Sequence, residues 1–150
     1  MVDSEPAWAP GGKRLAFTRR TSFSEFSLWV ATVTKRPMLR RIYADDTDTG
    51  YGPSWSPNGK RIVFASGTLG LDAIFAIDPS GRRLTKLLQD TEDPENDVYG
   101  GGLSHPVFSP SGTRIAYTSA GEIWKMTASG SEPVQLTQAG GDYPDWARKR

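Results

Sequence analysis

No cysteine occurs in the 150 residues, which excludes disulfides, thiolate metal sites and a cysteine nucleophile while leaving the redox compartment open. Histidine is almost as scarce. His105 is the single one, so any imidazole chemistry has one place to occur. An excess of either charge is also missing, since 18 Lys and Arg stand against 17 Asp and Glu for a net charge of +1. A chain so balanced has no global pull toward nucleic acid or an anionic membrane, and neither is expected as a partner. No segment approaches the roughly 18 apolar residues of a membrane span, so no membrane insertion is expected. The start, "MVDSEPAWAP", has neither the basic region nor the apolar run of a signal peptide.

Catalytic templates are lacking as well. There is no Gly-x-Ser-x-Gly elbow, no His-Glu-x-x-His pair and no phosphate loop. Ser104 adjoins His105, so in a strand its side chain points to the opposite face and the two cannot begin a Ser-His-Asp triad. The chain alone is therefore not expected to be an enzyme. No long segment carries the amphipathic period of a helix, so helix content should be low.

What is present is repetition. Aligned on proline, the chain reads Pro6-Ala7-Trp8-Ala9-Pro10, Pro53-Ser54-Trp55-Ser56-Pro57 and Pro106-Val107-Phe108-Ser109-Pro110, with a partial fourth copy, Pro144-Asp145-Trp146-Ala147. Each complete copy runs from a short strand ending in an aromatic into a Pro-x-Gly turn, in which proline pre-sets φ and glycine supplies the positive φ that closes a hairpin. Strands of β-branched and aromatic residues follow at once in "RLAFTR", "RIVFAS" and "RIAYTS". Third strands ("SLWVATV", "DAIFAID", "EIWKMTA"), a second turn, and fourth strands ("LRRIYA", "LTKLLQ", "PVQLTQ") complete each unit. Repeated four-stranded antiparallel units describe the blades of a β-propeller, whereas a β-sandwich would carry no internal copy. The fold class is accordingly all-β. Blade 1 is placed at 3–49, blade 2 at 50–100, blade 3 at 101–140, and the inner strand of a fourth at 141–150.

The pattern Pro-x-Trp-Ser-Pro-x-Gly-Lys-x-Ile-x-Phe at Pro53 to Phe64, followed by "IFAID", a Ser-Gly turn and "RRLTKL", resembles the TolB-type propeller repeat. The third copy matches through "HPVFSPSGTRIAYTS", "EIWKM" and "VQLTQAGG". The first is looser, lacking the Gly turn and the Leu-Thr ending. The resemblance implies a propeller fold and, if it extends to location, a periplasmic or secreted protein. Function is not implied by it, because propellers serve many tasks.

Members of that family resemble closed rings of about six blades, so three blades and a strand form an incomplete ring unless the chain oligomerises. An open arc should leave two blade faces bare, each on the order of 800 Å², and stick to other surfaces. The missing blades of the same propeller, a homodimer closing a six-blade ring, or a protein partner would cover them.

In a propeller the inner strands line a central channel, and residues just before the aligned prolines ring its mouth. Here those are Glu5, Tyr51, His105, Asp142 and Tyr143, a polar set suited to a ligand, a peptide end or a cation. Two acidic loops connect outer strands to the next inner ones, with Asp45, Asp46 and Asp48 in one and Asp93, Glu95 and Asp97 in the other. They form an acidic face that would attract a basic partner. The spacing Asp46-x-Asp48-x-Gly50 is where a calcium ion would bind, yet the third acidic ligand, the placed glycine and the distal Glu of a calcium loop are missing, so no metal site and no cofactor are expected. The basic clusters "TRR", "KRPMLRR" and "RKR" read as protection of blade edges against aggregation. Together these features point to a non-catalytic TolB-like scaffold for protein interaction or ligand binding. An accessory, substrate-gating propeller of a larger hydrolase or serine peptidase, or a self-assembling half-propeller, are the alternatives.

Overall fold

A computed structural model of the chain describes residues 1–22, 25–45, 49–68, 71–90 and 102–147. Twelve strands, and no helix among the described residues, form three separate sheets. The first sheet takes β1 (Val2–Trp8), β2 (Arg14–Ser22), β3 (Glu25–Thr32) and β4 (Leu39–Asp45) in chain order. The second takes β5 (Thr49–Trp55), β6 (Ile62–Thr68), β7 (Leu71–Ile77) and β8 (Thr85–Gln89). The third takes β9 (Ser104–Phe108), β10 (Arg114–Ser119), β11 (Glu122–Thr127) and β12 (Val134–Gln135). All pairings are antiparallel between neighbours in sequence, so each sheet is a meander built from local turns.

The Pro-x-Gly turns close alike in all three sheets. Gly12, Gly59 and Gly112 donate to the carbonyls of Ala9, Ser56 and Ser109 at 2.8 to 3.0 Å, each with φ between 65° and 73°, a conformation that costs glycine little. The outermost strand of the third sheet is shorter than "PVQLTQ" suggests. Only Val134 and Gln135 form regular strand pairs with β11, Leu136 N adds one bond to the Ile123 carbonyl at 2.8 Å, and Val134 and Leu136 remain about half exposed.

Sheets stack through two apolar layers. Ala16, Leu28 and Val30 of the first sheet meet Ile62, Phe64 and Ile77 of the second, and Tyr43 packs on Phe64 with ring centroids 4.8 Å apart. On its other side the second sheet lends Val63 and Ile74 to a layer with Ile115, Tyr117 and Met126 of the third. β6 is therefore buried on both faces, which is why its apolar run is continuous rather than alternating. Removing Phe64, which is fully buried, would cost about 3–5 kcal/mol.

A glycine of the second turn fits each later sheet to the one before. A Cβ on Gly81 would lie 3.1 Å from the Ile42 carbonyl oxygen, and one on Gly130 only 2.2 Å from that of Leu87. The first sheet has Lys35-Arg36-Pro37 in this turn instead, and no sheet of this chain precedes it.

The ring is open, as the sequence suggests, and each of the two outer faces is partly covered by the chain's own residues. On the first sheet Arg19 lies over the rings of Phe17 and Trp29, 5.3 and 4.8 Å from their centroids, and forms a two-pronged bond with Asp3 at 2.6 and 2.8 Å. The Arg19 partner holds the Asp3 carboxyl below its usual value, and Asp3 raises Arg19 in return. β2 is an interior strand of its sheet, so "TRR" does not protect an edge. Its Arg19 covers aromatic surface while keeping its charge outward. On the third sheet the segment 136–147 folds back across Ala116 and Thr118, both buried. Trp146 Nε1 donates to the Val107 carbonyl and Thr118 Oγ1 to Asp142.

Candidate functional site

The residues ahead of the aligned prolines share one backbone device. Between Ser4 and Ala7, Tyr51 and Ser54, and Ser104 and Val107, each inner strand takes three steps while its partner takes two. One extra residue is thus inserted at the same point in every sheet. Proline at 6, 53 and 106 has no N–H for the ladder, and a β-bulge is where a strand tolerates it. The residue before it is turned out of the strand. Glu5, His105 and Tyr143 all lie near φ +50°, at 51°, 47° and 51°, although none is glycine and each precedes a proline. Such a conformation costs about 1–2 kcal/mol per residue and is found where a side chain must be aimed.

These side chains converge. The His105 imidazole, 16 % exposed, presents Nδ1 to Asp142 Oδ1 at 3.2 Å and Nε2 to Glu5 Oε1 at 3.8 Å. Tyr143 lies against the imidazole with centroids 4.0 Å apart. Each carboxylate accepts from one of two equivalent threonines: Thr18 donates to Glu5 within the first repeat at 3.3 Å, and Thr118 of the third repeat donates to Asp142 of the following segment at 2.9 Å. Tyr143 N also donates to Asp142 at 2.8 Å. Gly52 occupies the equivalent place in the second sheet, where a Cβ would come no closer than 3.6 Å to Glu5. A hollow of about 400 Å³ opens here, lined by Glu5, Gly52, His105, Tyr143 and the aligned prolines among others, with no Lys or Arg in its wall.

Of the five residues singled out in the sequence, Glu5, His105, Asp142 and Tyr143 thus form one cluster. Tyr51 belongs to β5 with its backbone opposite Ala65, but its side chain is outside the described ones. Asp46, Asp48, Asp93, Glu95 and Asp97 lie outside the described residues, as does the Asp45 side chain. No cluster suited to a metal ion occurs among the described residues. The sequence reading missed Thr18 and Thr118; their shared place in "AFTR" and "AYTS" was the available signal.

Beyond this cluster the inner strands bring the aligned aromatics together. Trp8, Trp55, Phe108 and Trp146 surround a hollow of about 1050 Å³, and Trp55 Nε1 donates to the Ala7 carbonyl at 3.1 Å, as Trp146 does to the equivalent Val107 at 3.2 Å. The segment at Trp146 therefore stands where a fourth sheet would begin. Among solved structures, TolB from Acinetobacter baumannii superposes with a TM-score of 0.74 at 20% identity, over 94% of this chain and 33% of that one. The fold is that of a TolB-like β-propeller. The three sheets are its blades, and the cluster around His105 gathers on the side of their innermost strands, β1 and β9. Other propellers are similar: the propeller domain of the Trilobed protease from Pyrococcus furiosus, with its open velcro topology (TM-score 0.59, 12% identity, 91% of this chain and 43% of that one), and prolyl endopeptidases (0.69, 16%, 99% and 24%). This chain spans about one third of the TolB structure's length. No protein-family profile and no curated protein matches it.

Proposed function

We propose that this propeller segment is a non-catalytic binding scaffold whose channel mouth receives a basic group, presented by a partner protein as a lysine, an arginine or a free amino terminus. The observation that carries this reading is the placement of one imidazole between the Glu5 and Asp142 carboxylates, in a hollow with no cationic side chain in its wall. Carboxylates fixed before binding recognise a cation without ordering cost, and an aromatic ring beside them adds a face for its alkyl stem. The acidic composition of the segments 44–52 and 90–102 adds long-range attraction for such a group.

One histidine in the chain makes the test simple, because its imidazole proton resonances report a single site. Tetralysine should shift them saturably, with affinity at least tenfold weaker in Glu5→Gln and Asp142→Asn. Tetraglutamate should leave them in place. Saturable binding of tetralysine without movement of the His105 signals, or no binding at all, would remove this reading.

A second reading, the accessory propeller of a larger hydrolase, draws on the enzymes among the similar structures. A puromycin hydrolase matches over 91% of this chain but only 22% of its own. Under that reading another domain performs the chemistry and the mouth controls access to it.

A further inference from the structure

The turns that join β1 to β2 and β3 to β4 lie at the end of each blade away from the mouth, and this end is basic. Between the first two blades it forms a cleft of about 510 Å³ lined by Arg14, Arg40, Lys60 and Arg83, with Asp78 the one carboxylate in the wall. None of the four cations forms a salt bridge among the described residues. Asp78 spends its Oδ1 within its own turn, accepting from Ser80 N, Ser80 Oγ and Arg82 N at 2.9, 2.6 and 3.0 Å. Four positive charges thus face a space containing one negative charge, already committed in part.

One of the cations is held by its side chain, and a second stands on a fixed turn. Arg14 Nη2 donates to the Gly59 carbonyl at 3.3 Å, and its guanidinium lies over the Trp55 ring, 4.8 Å from the centroid. Arg83 sits at φ +56° in a turn seated against Ile42 through Gly81.

The equivalent place between the second and third blades lacks this charge. There Arg61 takes the position of Arg14 and donates to the Ala128 carbonyl at 3.0 Å, the uncharged Thr85 takes that of Arg40, Thr113 takes that of Lys60, and Glu132 that of Arg83. Arg83 and Glu132 share φ 56°, so the turn is the same and the charge is reversed; Glu132 pairs with Arg114 at 3.2 Å. The concentration of charge is therefore a property of one cleft and not of the repeat.

We infer that the cleft between the first two blades binds a doubly charged oxyanion of the phosphate type through Arg14, Arg40, Lys60 and Arg83. Forked guanidinium donors suit the tetrahedral oxygens of such a group, and converging cations favour a dianion over chloride. The site lies at the end opposite the mouth and is independent of the function proposed for it.

The test is a titration of the ¹⁵N-labelled full chain with inorganic phosphate, at ionic strength held constant with sodium chloride, followed through arginine Nε–H and tryptophan indole signals. Saturable shifts are expected, at least fivefold weaker in Arg40→Gln and in Arg83→Asn; asparagine tolerates the positive φ at that turn. Lys125→Gln, remote from the cleft, should bind as wild type does. Glycerol 3-phosphate is the second arm: binding equal to that of phosphate assigns the site to phosphoryl groups on larger molecules, and its exclusion assigns it to free phosphate. Shifts that rise without saturation, or that persist unchanged in the Arg40→Gln, Arg83→Asn double variant, would overturn the inference.

Discussion

Trp146 donates its indole N–H to the carbonyl of Val107, 39 residues away, in the way Trp55 donates to Ala7 one blade earlier. The blade-to-blade contact is thus repeated where the chain has no fourth sheet to offer. Trp146→Phe keeps the ring and loses the bond, and should lower stability by about 0.5–1.5 kcal/mol. Trp146→Ala should lower it further and raise binding of an apolar dye, because the outer side of the third blade is uncovered. Urea unfolding of the three proteins decides this; equal midpoints for wild type and Phe would mean the bond contributes nothing net.

The same residue bears on assembly. A two-fold ring would bring the first blade of a second copy to the third blade, where its Trp8, 60 % exposed here, would need the Val107 carbonyl that Trp146 already uses. On the opposite flank Arg19 and Asp3 cover Phe17 and Trp29. Light scattering should therefore give the mass of one chain. Arg19→Ala should increase self-association, and a stable wild-type dimer would contradict the prediction.

Gly130 and Gly12 have φ of 90° and 66°, yet only the first meets backbone, with Leu87 O at 2.2 Å, whereas nothing lies within 4 Å of a Cβ on Gly12. Gly12→Ala should cost about 1–2 kcal/mol, the left-handed term alone. Gly130→Ala must also displace one blade from the next and should cost clearly more. Equal losses in thermal or urea unfolding would show that the contact between blades yields easily.

Tyr117, 2 % exposed between the second and third blades, has its phenol pushed up to about 12 by burial. The unfolded chain releases this proton near pH 10, so folding favours the protonated form. Its contribution is whole below pH 10 and is lost as pH rises toward 12, a fall on the order of 2–3 kcal/mol. Tyr117→Phe should remove that part of the alkaline decline in urea titrations. An unchanged slope would place the ionisation elsewhere.

The hairpins were legible because Pro-x-Gly turns act over four residues, and so was the grouping of Glu5 with His105, since aligning prolines places residues 100 apart at one rim. The bulge was not legible. Glutamate, histidine and tyrosine do not advertise a left-handed backbone, and Gly52, the residue that would, does not adopt it. The glycines of the second turn could be read as turn formers, but their close approach to Ile42 and Leu87 arises only when one blade meets the next. The covering of Phe17 and Trp29 depends on the register that sets Asp3 opposite Arg19. The basic cleft was hidden by balance: cations and carboxylates cancel to a net charge of +1 over the chain, while in the cleft four cations meet one carboxylate.

One inserted residue per blade also makes the mouth rewritable. The backbone at positions 5, 105 and 143 takes the same left-handed turn under three different side chains, and position 52, which carries none, leaves ordinary contact distance to Glu5. Under the binding role proposed above, each such position would supply one character of a short recognition code. Exchanging a character changes what the rim reads without touching the apolar layers that hold the blades together, so binding preference and stability can evolve separately.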